Sequence, residues 1–359
     1  MEQFSCKTRI VSGPGSTSCL RQLGSQRLMM VTDPFFYKNG TAQRIADGAA
    51  REVVYFHEIT PDPSVSLAAR GTQAVLDFQP DTLVALGGGS AMDCAKAMAY
   101  FSGLNPRLVA IPTTSGSGSE VTDFAILTHD GIKHPLVDDG LRPDIAILDS
   151  DLLTALPPAL IADGGYDALT HALEAYTAKN ASPITDALAL GAFRDVYQLL
   201  PQSFGGQQSA RPGVHSAATM AGLAFTQAGL GICHAMAHSL GGQFHLPHGR
   251  LNAILLPAAI TCNAPAAGEK YAALAQALGL EGRAVSLGVR NLRSALVRLR
   301  RELGLPETLA QAGLSPADVR QKAPSIIQAA LSDPCCTTNP LPVTEAMVRQ
   351  ILTEVTGHG

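Results

Sequence analysis

The sequence lacks the features that mark several classes of protein. It has no CxxC cysteine pair, and Cys335 and Cys336 are adjacent, a poor geometry for chelating one metal ion. It has 26 Lys and Arg residues against 30 Asp and Glu, a formal charge of -4, and no basic cluster. Without such a cluster to neutralise phosphates, nucleic acid is not an expected partner. The seven cysteines are interpreted as structural or incidental thiols.

Long apolar runs and a signal peptide are also missing. The longest apolar stretch, residues 251–260, is interrupted by Asn252 and Pro257. It is far shorter than the roughly 18 to 20 residues that span a bilayer. The first residues, MEQFSCKTR, have neither the basic start nor the apolar run of a signal peptide. We therefore expect a cytoplasmic protein with free cysteines and no membrane partner.

The length and composition fit about two globular domains, because 359 residues exceed the roughly 150 of a typical single domain. In the first half, short apolar runs alternate with helix-like segments, which predicts an α/β domain with a mostly parallel sheet over residues 1–156. The expected strands are 28–32, 53–56, 82–86, 108–111 and 145–148, and the expected helices are 41–51, 65–78 and 90–101. Ligands should collect at the carboxyl edge of such a sheet.

After Pro157 the sequence becomes rich in Ala and Leu with helical periodicity. An all-α domain is therefore expected over residues 157–359. Its predicted helices are 166–180, 184–200, 214–229, 233–243, 269–279 and 284–303.

Two loops rich in small residues follow expected strands. The first, GGGS at residues 87–90, comes directly before a helix, where backbone N–H groups can approach a phosphate. The second, PTTSGSGSE at residues 112–120, offers hydroxyl and amide donors from the same sheet edge. The alternative for GGGS is a tight turn needed only for packing.

Asp33 ends the first expected strand. An acidic side chain there can accept hydrogen bonds from an adenosine ribose and repel a 2′-phosphate. The alternative is an Asp that caps a helix or stabilises a turn.

Half of the ten histidines fall between His215 and His248. On a helix, residues four apart share a face, so Asp167 with His171, and His234 with His238, could each present two groups to one metal ion. Spacing alone does not choose four ligands among Asp167, His171, His234, His238, His245 and His248. A lone histidine on an apolar helix is more typical of a core residue. The two pairs together favour a site for Fe(II), Zn or Mn.

Four segments together, GGGSAMDCAKA, PTTSGSGSEVTD, GGYDALTHALEAY and GLGICHAMAHSLGGQFHLPHG, resemble the signatures of the iron-containing (group III) alcohol dehydrogenases. The resemblance covers nearly the whole chain. EITPDPS and QFHLPHGR are most similar to the 1-propanol dehydrogenase branch associated with bacterial microcompartments.

This resemblance implies the roles of individual residues. The metal ligands fall on Asp167, His171, His234 and His248, and His238 falls on a catalytic histidine that is not a ligand. The implied cofactor-binding residues are Asp33, Gly88, Gly89, Ser90, Asp93, Thr113, Thr114, Ser119 and Lys133. Asp62 stands where many members have Asn.

The implied function is a metal-dependent alcohol dehydrogenase that interconverts a short aldehyde, propanal or acetaldehyde, and its primary alcohol with NADH and NAD. Fe(II) is the expected metal and Zn the alternative. Phe124, Phe225 and Phe244 are candidate walls of a small apolar pocket. The alternatives are a polyol oxidoreductase similar to glycerol dehydrogenase and a non-catalytic microcompartment cargo protein. A second copy in a homodimer and microcompartment shell or cargo proteins are the candidate protein partners, with the microcompartment as a candidate location.

Overall fold

The computed structural model describes residues 4–129 and 132–357. Their contacts divide the chain into two units, one of Ser5–Leu156 and one that runs from Pro157 onward and includes Phe4.

The first unit is built on a six-stranded parallel sheet. In the order in which they lie side by side, its strands are β1 (Arg9–Ser12), β8 (Ile145–Leu148), β5 (Arg107–Pro112), β4 (Thr82–Gly87), β2 (Ser25–Thr32) and β3 (Ala50–Phe56). An antiparallel hairpin is formed by β6 (Phe124–His129) and β7 (Ile132–Val137). Its helices are α1 (Pro34–Lys38), α2 (Thr41–Ala46), α3 (Val65–Phe78) and α4 (Gly89–Ser102).

The sheet separates two apolar cores because alternate residues of a strand face opposite sides. On β4, Leu83 and Ala85 lie in one core with α3 and α4. Val84 and Leu86 lie in the other core, which includes Ala42 and Ile45 of α2. Because helices cover both faces of the sheet, a ligand can bind only at the ends of the strands. The two small-residue loops begin at the carboxyl ends of β4 and β5.

The second unit is helical. Its helices are α5 (Pro158–Thr177), α6 (Pro183–Phe204), α7 (Arg211–Ala228), α8 (Ile232–Phe244), α9 (His248–Ala277), α10 (Val285–Glu302), α11 (Pro316–Ser332), α12 (Cys335–Thr338) and α13 (Glu345–Thr356). By length and composition α9 could cross a membrane, but 72% of its most apolar window is buried inside the protein. It is the core helix of this unit.

The expected fold class, a parallel α/β half followed by a helical half, is confirmed. Helix 65–78 has the predicted bounds. Helix 41–51 is predicted too long, because α2 ends at Ala46 and the chain enters β3 at Ala50. All seven cysteines are free, as expected.

Candidate active site

The candidate metal ligands come from three helices of the second unit. Asp167 and His171 lie on α5, His234 lies on α8, and His248 is the first residue of α9. Gly249 lets α9 approach α5, because a Cβ atom there would lie 1.9 Å from the carbonyl oxygen of Asp163. That close approach places His248 beside Asp167, with 3.6 Å between His248 Nε2 and Asp167 Oδ1.

Three of the four candidate ligands converge on one point. Asp167, His234 and His248 each offer one ligand atom, and these atoms lie within 4.8 Å of one another. The amide nitrogen of Asn252 lies 2.7 Å from Asp167 Oδ1, 3.2 Å from His234 Nε2 and 3.3 Å from His248 Nε2. An amide group has two hydrogens and cannot serve three acceptors at once. Convergent nitrogen and carboxylate lone pairs are the arrangement that a divalent cation satisfies, so these residues fit a metal ion.

His171 borders this cluster. Its Nδ1 atom lies 4.0 Å from Oδ2 of Asp167. Its ring stacks on the ring of His234 at 4.4 Å between centroids, and on the ring of Phe225 at the same distance. His171 therefore contacts two members of the cluster, and Phe225 gives the site an apolar side.

Glu174 is a member of the site that the sequence analysis missed. Its buried carboxylate accepts hydrogen bonds from the backbone N–H groups of Gly231, Cys233 and His234 at the start of α8. It also lies 2.6 Å from Nδ1 of His234. This contact places a proton on Nδ1, so Nε2 is the atom that would face a metal ion, a common arrangement around metal-binding histidines. The sequence does contain a sign of this position, because Glu174 lies three residues after His171 on α5 and therefore shares its helix face.

The residues of the cluster shift one another's pKa values in opposite directions. Burial alone would raise the pKa of Asp167, but His171 and His248 and the hydrogen bond from His234 hold it well below its usual range. Burial lowers the pKa of His234, yet hydrogen bonds to Asp167 and Glu174 raise it to about 9. Asp167 is therefore a carboxylate near neutral pH, and a cation that binds here displaces a proton from His234.

His238 lies on α8 one turn beyond His234 and has a different partner. Its Nδ1 atom lies 2.8 Å from Oδ2 of Asp333. Burial raises the pKa of Asp333, but the hydrogen bond and charge of His238 lower it to about 2. The His238 ring stacks on that of His248 at 5.1 Å between centroids. His245 is exposed and ends α8 in a left-handed conformation, with a φ of 55°.

The two small-residue loops meet at the carboxyl edge of the sheet. Thr113 donates its backbone N–H to the carbonyl of Gly87 at 2.9 Å. A Cβ atom on Gly88 would lie 3.4 Å from Oγ1 of Thr114, and one on Gly89 would lie 3.3 Å from Ser117. Gly88 precedes α4 and no side chain caps that helix, so its first N–H groups, beside Ser90, suit a phosphate. This cradle of glycines fits the pyrophosphate of a dinucleotide.

Asp93, on α4, holds the second loop in place. Its carboxylate accepts hydrogen bonds from Ser119 Oγ at 2.7 Å and from the backbone N–H of Ile126 at 3.2 Å. Burial raises its pKa, against the opposing charge of Lys96. Both Asp93 and Ser119 therefore have protein partners that fix the second loop.

Asp33 and Lys133 also have protein partners. Asp33 accepts a hydrogen bond from the backbone N–H of Phe36 at 3.0 Å and caps α1, which is the alternative that the sequence left open. Lys133 pairs with Asp62 at 2.6 Å. Asp62 has a φ of 53°, a conformation that Asn and Asp tolerate better than most residues.

Comparisons with known proteins find matches that together cover nearly the whole chain. The family described as "Iron-containing alcohol dehydrogenase" matches residues 7–150, and "Fe-containing alcohol dehydrogenase family, C-terminal" matches residues 161–356. The 1-propanol dehydrogenase PduQ of Salmonella typhimurium is 40% identical over 99% of this chain and 100% of its own length.

Two solved structures share the fold. An iron-containing alcohol dehydrogenase from Thermococcus thioreducens has a TM-score of 0.90 and 33% identity, covering 98% of this chain and 99% of its own. A sulfoacetaldehyde reductase from Bifidobacterium kashiwanohense, solved in complex with NAD+, has a TM-score of 0.89 and 26% identity over 100% of both chains.

Proposed function

The chain belongs to the iron-containing alcohol dehydrogenase family, and from this premise we propose that it interconverts a short aldehyde, propanal or acetaldehyde, and its primary alcohol. It is an oxidoreductase of a family that uses NAD(H) and an iron ion. The observation that carries the proposal is the convergence of Asp167, His234 and His248 on one point. An apolar ring, that of Phe225, lies against His171 and suits a short aliphatic substrate.

We assign the metal to Asp167, His171, His234 and His248. A divalent ion bound there supplies a Lewis acid that polarises the substrate oxygen. Glu174 orients His234 for this role, and Asp167 supplies the negative charge that balances the cation. The ligand set contains no sulfur and suits Fe(II), with Zn as the alternative.

We assign the dinucleotide to the first unit. Gly88, Gly89 and Ser90 at the start of α4 would hold the pyrophosphate, while Thr113 and Thr114 would line the second loop. Asp93 and Ser119 would position that loop, as their mutual hydrogen bond supports. Asp33 and Lys133 are proposed to contact the ribose, in addition to the partners they have in the protein.

Reduction of an aldehyde adds a hydride to its carbon and a proton to its oxygen. We propose that His238 relays this proton from water. Asp333 faces Nδ1 of the ring, so Nε2 is the atom that exchanges the proton. A homodimer and enclosure in a bacterial microcompartment with shell or cargo proteins stay predictions, which the similarity to a 1-propanol dehydrogenase supports.

The test is oxidation of NADH by protein loaded anaerobically with Fe(II). We expect turnover with propanal and acetaldehyde, and none in the metal-ligand variant His234→Ala. Faster turnover of glycerol with NAD than of 1-propanol with NAD would favour the polyol oxidoreductase instead. Iron-loaded protein that binds NADH but reduces no aldehyde would favour the non-catalytic cargo protein.

A further inference from the structure

A second group of metal-ligating side chains lies next to the candidate iron ligands but contains none of them. It consists of His238, Asp333 and Cys335, and each offers one ligand atom within 4.8 Å of the others. His238 belongs to α8, Asp333 follows α11, and Cys335 begins α12. All three residues are of intermediate burial, neither fully buried nor fully exposed.

The fold holds these groups in place before any ion binds. Asp333 accepts the backbone N–H of Cys335 on Oδ1 at 2.8 Å. Its other oxygen, Oδ2, lies 2.8 Å from Nδ1 of His238. The carboxylate of Asp333 is thus held by two contacts. Little conformational entropy is then lost when the side chains bind a metal ion.

Imidazole nitrogen, carboxylate oxygen and thiolate sulfur are together the ligand types of zinc. Zn²⁺ and Co²⁺ generally bind such ligands more tightly than Fe²⁺, and a thiolate suits Zn²⁺, whereas the proposed iron ligands include no sulfur. We propose that His238, Asp333 and Cys335 form a second divalent-cation site of the zinc class, separate from the iron site. The fourth position of a tetrahedral ion is then left to water.

Binding displaces one proton to solvent, from the thiol of Cys335, and the proton on Nδ1 of His238 moves to Nε2, so that the ring binds the ion as a neutral imidazole. In consequence the ion removes His238 from proton transfer, and zinc inhibits the enzyme without removing its iron. This consequence rests on the proposed role of His238, whereas the binding site itself does not.

Cobalt provides a readout that is independent of activity, because a thiolate bound to Co²⁺ gives a near-ultraviolet sulfur-to-metal charge-transfer band. Iron-loaded enzyme is titrated with Co²⁺, and its iron content is measured before and after. We expect one further cobalt ion per chain and a charge-transfer band, with the iron retained.

The neighbouring cysteine provides the matched control. Cys336 contacts the carbonyl of Ala330 through its Sγ atom instead. Cys335→Ser should abolish the band, Cys336→Ser should keep it, and His238→Ala should weaken cobalt binding at least about tenfold. The last variant also covers the case in which Cys335→Ser does not fold.

The proposal is overturned if wild-type protein shows no band at saturating Co²⁺, if the band survives in Cys335→Ser, or if His238→Ala binds cobalt as tightly as the wild type. Zinc inhibition should likewise be weaker in Cys335→Ser than in Cys336→Ser. Failure of aldehyde reduction in the wild type would contradict the proposed function and leave the cobalt result intact.

Discussion

The Nδ1 atom of His238 lies 2.8 Å from Oδ2 of Asp333, although 95 residues separate the two in the sequence. The contact fixes both the orientation of the ring and the nitrogen that carries its proton. A neutral imidazole donates from one nitrogen and accepts on the other, so Asp333 determines that Nε2 accepts. Asp333 thereby acts through His238 as a positioning residue.

The first prediction is that Asp333→Asn lowers kcat about 10- to 100-fold, less than the loss of a positioned acid–base group itself, which is about 10² to 10⁴. An amide can donate to Nδ1 and so stabilise the wrong tautomer, while iron content stays stoichiometric. The measurements are kcat with propanal, the Kd for NADH and metal analysis. Asp333→Ala, which cannot donate, should lose less of kcat than Asp333→Asn, and the opposite order would contradict the tautomer argument.

His238 itself gives the second prediction. His238→Ala should retain iron and NADH affinity while kcat falls by about 10² to 10⁴. The comparison is His234→Ala, which should lose iron. If His238→Ala loses iron and His234→Ala keeps it, the roles of the two residues are reversed. A fall in kcat of less than tenfold would mean that His238 only packs or hydrogen-bonds at the site.

The third prediction concerns Glu174, which lies 2.6 Å from Nδ1 of His234 and accepts three backbone N–H groups. Glu174→Gln keeps the shape but removes the charge, so iron affinity should fall about 10- to 100-fold. Metal affinity is measured by competition with a chelator. Excess Fe(II) should restore most of kcat, because Glu174 acts through the ligand and not on substrate. Unchanged affinity would assign Glu174 only to helix capping.

The sequence predicts those parts of the fold whose signals are local. Helix 65–78 is recovered because its apolar period is regular and Ser64 caps it. Most of α9 is missed because Pro257 and Pro265 normally end helices, whereas this helix continues through both. Strand β1 is missed because it has four residues and is defined by pairing with β8, far along the chain.

The site residues also divide into those with a local signal in the sequence and those that only the tertiary fold brings together. The i, i+4 pairs of α5 and α8 point to the metal cluster from the sequence, because their spacing is local. Asp333 gives no local signal, since only the tertiary fold brings it to His238. Spacing also does not show that Asp93 accepts a hydrogen bond from Ser119 and so fixes the second small-residue loop.

The fourth prediction is a pH dependence of stability due to Lys96. Its buried ammonium donates to the carbonyls of Thr122 and Phe124 and to Oγ1 of Thr122. Burial lowers its pKa from 10.5 to about 8, against the opposing charge of Asp93. Between these two values the unfolded chain binds more protons, so raising the pH stabilises the fold, whereas below about 8 both states are charged and the contribution is constant.

The comparison for this prediction is Lys96→Met, which leaves buried acceptors unsatisfied and should cost about 1 to 3 kcal/mol at pH 7. The free energy of unfolding of both proteins is measured in urea from pH 7 to 10. The advantage of the wild type should grow as the pH rises above 8. A constant or shrinking advantage would contradict the lowered pKa of Lys96.

The last prediction separates the two roles of Asp33, which caps α1 through Phe36 and is proposed to contact the ribose. Asp33→Ser keeps a capping oxygen and removes the charge, whereas Asp33→Ala removes both. If the charge repels a 2′-phosphate, both variants should raise kcat/KM for NADPH relative to NADH. Only Asp33→Ala should also lower the free energy of unfolding, by about 1 kcal/mol. Steady-state kinetics with both cofactors and urea unfolding measure the two effects. A wild-type enzyme that prefers NADPH, or an unchanged cofactor ratio in Asp33→Ser, would restrict Asp33 to its capping role.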